Sequence, residues 1–227
     1  MPFLSYVFPT VTILLQLTLI ALLAKGPLRR YPVLFLYSVT YIGVIVLEGL
    51  TLSQAGLGSG LYRNLYWSSD LVLDFLLFLM VITLTYRIVG RNPLLRPFGR
   101  MLFLVVAAAI ALPFILFHPF FQLGWFRHTS QLLSLGAAVM NLLLWTAIIG
   151  TRDRDPQLML VSAGLGVAVT GVAIAYGLLQ FTSANFRWLP DLFKSLTQVG
   201  SMMIWCWAFR PSASEPSSRI EAVPDPS

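Results

Sequence analysis

Residues 66–87 read YWSSDLVLDFLLFLMVITLTYR, and every residue from Leu71 to Leu84 is apolar except Asp74 and Thr83. A helix that crosses the hydrocarbon core of a membrane needs about 20 predominantly apolar residues, so this stretch predicts a transmembrane helix. Asp70 and Asp74 stand four residues apart near its beginning, a spacing that places both carboxyl groups on one helix face. Because an acidic side chain within a membrane is costly, we expect this face to look into a bundle or onto water.

The composition of the whole chain agrees with a membrane protein. Of the 227 residues, 57% are hydrophobic and 11% are charged, whereas a soluble domain has about 25% charged residues. The mean hydropathy is +0.80. The sequence therefore predicts an all-α, polytopic integral membrane protein.

Seven segments are long and apolar enough to be spans, and Gly, Pro or charged residues separate them. We expect a bundle of seven transmembrane helices over residues 7–25, 32–54, 65–87, 101–121, 129–150, 158–181 and 189–209. The remaining segment, 211–227, is rich in Pro and Ser and predicts a disordered tail.

The basic residues are distributed unequally between the two sets of loops. Eleven of the 15 lysines and arginines fall on one side: Lys25, Arg29, Arg30, Arg87, Arg91, Arg96, Arg100, Arg152, Arg154, Arg210 and Arg219. Positively charged loops mark the cytoplasmic face, which predicts an outside N-terminus and a cytoplasmic C-terminus. The same bias explains the net charge of +6 without a nucleic-acid partner and allows contact with anionic lipid headgroups.

Polar residues gather in the outer half of the predicted bundle. Glu48 lies near the outer end of the second span, and the last span begins PDLFKSLTQVGS, with Asp191, Lys194 and Gln198 at helical spacing. Together with the two aspartates of the third span, they predict an outward-facing polar pocket. The predicted ligand- or proton-binding residues are Glu48, Asp70, Asp74, Asp191, Lys194 and Gln198.

A structural interpretation of the same residues remains open. Asp70 or Asp74 can pair with Lys194 and lock the third and seventh spans together, with or without a ligand. Two neighbouring carboxyl groups do not both ionise cheaply, so we also expect one aspartate of the pair to hold a proton at neutral pH.

The arrangement of Tyr66, Trp67 and Asp70 at the start of the third span, the arginine-rich loop 87–100 and the polar segment 191–201 resembles two groups of proteins. One consists of uncharacterised seven-helix membrane proteins of bacteria, acidobacteria in particular. The other comprises the seven-helix sensor modules of bacterial histidine kinases. The resemblance implies a seven-helix topology and a place in the bacterial cytoplasmic membrane, and here no catalytic segment follows the last span.

We therefore expect a sensory or ligand-binding membrane protein without its own output domain. Its expected partners are membrane lipids, a small ligand or proton from the outer side, and a separate signalling protein in the membrane or cytoplasm. A small proton-coupled transporter or channel-like protein is the main alternative. Two histidines and one cysteine leave no basis for a metal or other cofactor. A retinal-type photoreceptor and a membrane enzyme are the least favoured alternatives, because Lys194 lies near one helix end and no catalytic motif is present.

Overall fold

The computed structural model describes residues 2–56, 58–91, 104, 106–108, 111–113, 115, 123–150, 155–181 and 188–210. Within these ranges the chain is helical and contains no strand. Six long α-helices and one short 3₁₀ turn at Pro27–Arg29 lie within the described ranges. The α-helices are α1 (Pro2–Lys25), α2 (Pro32–Ala55), α3 (Gly60–Arg91), α4 (Leu123–Gly150), α5 (Pro156–Phe181) and α6 (Trp188–Ala208).

Local sequence sets several of the helix ends. Pro32 begins α2 and Pro156 begins α5, at positions where the missing N–H of proline costs no helical hydrogen bond. Asp155 caps α5, because its Oδ1 accepts hydrogen bonds from the N–H groups of Gln157 (3.1 Å) and Leu158 (3.3 Å). Gly56, which follows α2, has a φ of +75°, a backbone conformation that residues other than glycine rarely adopt.

Five of the six helices are long and apolar enough to cross a membrane, which is consistent with a multi-pass integral membrane protein. They cover Phe8–Lys25, Pro32–Ala55, Gly60–Ile88, Gly124–Gly150 and Pro156–Leu179. Large apolar side chains on their outer faces, such as Leu14, Leu50 and Leu142, are 55–70% exposed, as expected of surfaces that meet lipid. The sixth helix, α6, is long but more polar, and its buried residues include Gln198 and Ser201.

Contacts between helices fix the directions in which they run. On α5 and α6, Gly164 lies against Trp205 and Tyr176 lies near Lys194, so these two helices are antiparallel. On α3 and α4, Asp74 faces Ser130 and Ser134, and Phe78 contacts Gly136, so these two helices are parallel. Two consecutive described helices thus point the same way.

The two ends of the bundle are therefore distinct. At the end that we call the cavity end, α2 and α5 finish and α3 and α6 begin, bringing Glu48, Asp70 and Lys194 together. At the other end, which we call the arginine end, Arg30 pairs with Asp155 and donates a further hydrogen bond to Gln157. The guanidinium groups of Arg30 and Arg87 also lie 5.7 and 5.6 Å from the centre of the Tyr31 ring.

Glycine lets α5 and α6 approach closely. A Cβ atom added at Gly164 would overlap the indole of Trp205, and one added at Gly171 would overlap the side chain of Thr197. The indole Nε1 of Trp205 donates a hydrogen bond to the carbonyl of Val161 at 2.9 Å. Small residues at such positions allow helix backbones in a membrane to pack tightly.

The observed helices are longer than the predicted spans, mainly at the cavity end of the bundle. The third predicted span begins five residues earlier than expected, at Gly60, and the fifth begins at Leu123 rather than at residue 129. Several predicted features lie outside the described residues. They are most of the predicted span 101–121, the arginines of the loop 92–100, Arg152, Arg154, Arg187 and the tail 211–227. The few described residues within 101–121 are helical.

Candidate functional site

An ion pair between α3 and α6 forms the centre of the candidate site. The Nζ of Lys194 lies 2.5 Å from Oδ1 of Asp70. The other carboxyl oxygen of Asp70 accepts a hydrogen bond from the Tyr176 hydroxyl of α5 at 2.6 Å. The side chain of Asp70 is 12% exposed and that of Lys194 is 30% exposed. Three helices therefore hold one charged pair that is largely removed from solvent.

The close packing of α5 and α6 positions this pair. Gly171 brings α5 against Thr197, one turn further along α6 than Lys194. Tyr176 consequently lies beside Lys194, with the ammonium nitrogen 5.8 Å from the centre of its ring. The aromatic face adds a favourable contact to a cation that is already paired with a carboxylate.

The ion pair lines a cavity of about 240 Å³ between α2, α3, α5 and α6. Lys194 is the one basic side chain in the lining of this cavity, and the other titratable side chains there are carboxyl and phenol groups. The groups that can carry a negative charge therefore outnumber those that can carry a positive one. The lining comprises Tyr37, Tyr41, Val44, Ile45, Glu48, Tyr66, Asp70, Leu73, Asp74, Leu77, Val172, Asp191, Lys194, Ser195 and Gln198. Such a mixture of an apolar wall and a few converging polar groups is typical of small-molecule sites.

Glu48 lies at the edge of the cavity on α2. Its Oε1 accepts a hydrogen bond of 2.5 Å from the hydroxyl of Ser69 on α3. The Glu48 side chain is half-buried and also borders a second hollow, of about 310 Å³, next to Pro9 and Thr12 of α1. The two hollows share Glu48, Tyr41 and Gln198, so α1 contributes to the same polar region.

Asp191 and Gln198 stand at opposite limits of the polar face of α6. Asp191 is exposed in the first turn, where a carboxylate interacts favourably with the helix dipole. Gln198 is buried two turns further along and donates a hydrogen bond to the Tyr37 hydroxyl at 2.9 Å. The first residue is therefore accessible from the cavity mouth, whereas the second ties α6 to α2.

Asp74 lies deeper than Asp70, on the same face of α3, and is 3% exposed. The hydroxyls of Ser130 and Ser134 on α4 face its carboxyl group within electrostatic reach. Both hydroxyls can donate to this carboxyl group, and no lysine or arginine of the described residues forms an ion pair with it. The two aspartates therefore differ, since Asp70 forms an ion pair and Asp74 does not.

The structure brings all six predicted site residues to the lining of one cavity. Whether they bind a ligand or a proton stays a prediction. The sequence analysis missed the tyrosines, of which Tyr176 contacts Asp70 directly, and it missed Ser69. An aromatic residue with a hydroxyl inside an otherwise small-residue segment, as at Tyr176, is the signal that could have identified it. Within the described ranges, no group of three or more His, Cys, Asp or Glu side chains is arranged to hold a metal ion.

Comparison of the chain with family models, with curated proteins and with solved structures gives no match.

Proposed function

We propose that this protein is a seven-helix receptor of the bacterial cytoplasmic membrane that binds a small ligand in a polar cavity open to the outside. The observation that carries the proposal is the Asp70–Lys194 pair, held by three helices at the wall of a cavity of about 240 Å³. A pair that served only to lock helices would not need a cavity lined by further acidic groups. Ligand binding then produces a signal that a separate protein in the membrane or cytoplasm receives.

The seven-helix topology is supported by the parallel arrangement of α3 and α4. These consecutive described helices run in the same direction, as we expect if one further crossing connects them. With that crossing the bundle would have seven. The excess of basic residues in the loops at the arginine end supports a cytoplasmic position for that end and an outer position for the cavity.

The charges of the cavity favour a ligand that carries an amine. Lys194 is already paired with Asp70, whereas Glu48 and Asp191 have no cationic partner among the described residues. Tyr41 and Tyr66 line the same space, and their rings can contact a cation. A small organic cation, or a zwitterion whose carboxylate competes for Lys194, fits these groups.

Thermal unfolding of the purified protein in detergent tests the proposal. Matched sets of primary amines, quaternary ammonium ions, carboxylates and neutral amides should separate, with amines raising the melting temperature in a saturable way. Glu48→Gln should reduce this shift, and Arg30→Met at the arginine end should retain it. Equal behaviour of amines and amides would contradict the proposal.

A small proton-coupled transporter is the second candidate, and the buried carboxyl of Asp74 favours it. Reconstitution into vesicles separates the two functions. An amine that stabilises the protein but does not accumulate in vesicles under a proton gradient indicates a receptor. Accumulation that depends on Asp74 indicates a transporter.

A further inference from the structure

A further hollow, of about 220 Å³, adjoins the cavity at the Asp70–Lys194 pair and lies between α3, α5 and α6. Tyr66, Asp70, Asp191 and Lys194 line both spaces, so the ion pair stands at their junction. The other lining residues are aromatic or apolar, and we call this space the aromatic hollow. Its lining comprises Tyr66, Trp67, Asp70, Ala175, Tyr176, Leu179, Pro190, Asp191 and Lys194.

Three aromatic residues contribute to the wall of the aromatic hollow. Tyr66 and Trp67 follow each other on α3, and their rings meet edge to face with 5.6 Å between centroids. Tyr176 belongs to α5, and its hydroxyl donates a hydrogen bond to Asp70. Because that hydroxyl is already engaged, Tyr176 offers a ligand chiefly its ring. Aromatic rings favour an aromatic partner beyond the area that the contact buries.

The volume of the aromatic hollow is sufficient for one aromatic ring. In another protein, an engineered apolar cavity of about 150 Å³ binds benzene. The aromatic hollow is larger than that, and the adjoining cavity leaves room for a substituent on the ring. A short substituent can therefore reach the charged groups that the two spaces share.

The shared charged groups determine what the substituent carries. Lys194 is paired with Asp70. Asp191 lines both spaces, is exposed, and forms no ion pair with a described lysine or arginine. A carboxylate whose neighbouring cation is already paired attracts a further positive charge. The substituent that fits this junction is an amine.

We propose that the ligand is an aromatic amine, whose ring occupies the aromatic hollow and whose ammonium group binds beside Asp191. This inference rests on the proposed function and narrows its ligand from amines in general to amines that carry one aromatic ring. In this arrangement the ring packs against Trp67 and Tyr176. The ammonium group lies at the junction with the cavity, to which Glu48 adds negative charge.

Thermal unfolding of the full chain in detergent, titrated with matched compounds, tests the proposal. Phenethylamine should raise the melting temperature at lower concentration than cyclohexylethylamine or butylamine, because only its ring makes aromatic contacts. Phenylacetamide has the ring without the charge and should have little effect. Trp67→Leu should weaken the apparent affinity for phenethylamine by about threefold to tenfold, as expected for the loss of one aromatic contact, and leave that for butylamine unchanged.

Two further variants complete the experiment. Trp207→Leu changes an exposed indole at the arginine end and should leave both affinities unchanged. If Trp67→Leu does not fold, Leu179→Trp tests the same space, since a larger side chain at this half-buried position should weaken the binding of phenethylamine alone.

The outcomes separate this inference from the proposed function. Equal affinities for phenethylamine and cyclohexylethylamine, or tighter binding of the cyclohexyl compound, would assign the aromatic hollow to an aliphatic chain and overturn the inference. If butylamine stabilises the protein in that case, the proposed function stands. If no amine stabilises it, the proposed function fails as well.

Discussion

In the part of the chain that the structure describes, each end of the bundle contains one ion pair, and the two pairs have different surroundings. At the arginine end, Arg30 binds Asp155, whose other oxygen caps α5 through two backbone N–H groups. At the cavity end, Lys194 binds Asp70, whose other oxygen is engaged by a tyrosine side chain and caps no helix. The first pair therefore has a complete structural explanation in helix capping, and the second does not.

Burial and neighbouring charge separate the two pairs further. The side chains of Arg30 and Asp155 are 39% and 23% exposed, compared with 30% and 12% for Lys194 and Asp70. Among the described residues, only the cavity-end pair lies beside additional carboxyl groups at the wall of a sizeable cavity. We infer from this comparison that an ion pair in a helical bundle is a candidate functional site when neither partner caps a helix and when further charged side chains surround the pair.

The largest difference between the ends is expected on removal of one cation. Lys194→Met leaves Asp70 unpaired and should reduce the free energy of unfolding by about 3 kcal/mol, near the lower limit for a buried pair because the cavity admits water. Arg30→Met, the matched variant at the other end, should cost less than about 1 kcal/mol. Adding Asp70→Asn to Lys194→Met should restore much of the loss, as measured by unfolding in detergent.

Equal losses in the two single variants would remove the energetic distinction between the ends. A double variant as unstable as Lys194→Met alone would mean that the lysine stabilises the fold by packing rather than by neutralising Asp70.

A second prediction concerns the packing that positions Lys194. Gly171→Ala places a methyl group against Thr197 and should cost about 1–3 kcal/mol by overpacking. Gly177→Ala, on the same helix with open space around the added atom, should be neutral or slightly stabilising. The amine-induced shift in melting temperature should also fall in Gly171→Ala, because α6, which carries Lys194, has to move away from α5. A normal shift in this variant would show that the cavity tolerates displacement of α6.

The smallest predicted effect tests the capping explanation of the arginine end. Asp155→Ala removes the cap of α5 and should cost about 1–2 kcal/mol. Asp155→Asn keeps an oxygen acceptor for the backbone but loses the ion pair, and it should cost about 0.5 kcal/mol or less. If both variants lose the same stability in detergent unfolding, the ion pair rather than the cap is the stabilising part.

Local sequence patterns predicted the helices well, because a long apolar segment bounded by Gly, Pro or charge has few alternatives to a membrane span. They also indicated that Asp70, Asp74 and Lys194 share a polar region, since charged residues inside apolar segments have to find one another. They could not specify that Lys194 binds Asp70 rather than Asp74, because that choice depends on the depth of α6 relative to α3. That depth follows from the contacts of Gly164 and Gly171 across the α5–α6 interface, whose long-range pairing is not encoded in helical spacing.

The glycines of α5 differ in their contacts across the α5–α6 interface. Gly177 has open space around it and Gly164 is in close contact, although both lie in the same small-residue segment. The spacing of small residues identifies a helix that can pack closely. The side chains of the partner helix determine which of its glycines lie in close contact.

The accessibility of Ser195 to charged thiol reagents tests the central claim most directly. Ser195 is half-buried at the cavity wall, and the single native cysteine, Cys206, can be replaced by serine. In intact cells, the variant Cys206→Ser/Ser195→Cys should react with membrane-impermeant methanethiosulfonates, and the cationic ammonium reagent should react faster than the anionic sulfonate. Leu28→Cys in the same background, exposed at the arginine end, should react only after the membrane is permeabilised. Protection of Ser195→Cys in intact cells, or faster reaction with the anionic reagent, would contradict an outward-facing cavity with surplus negative charge.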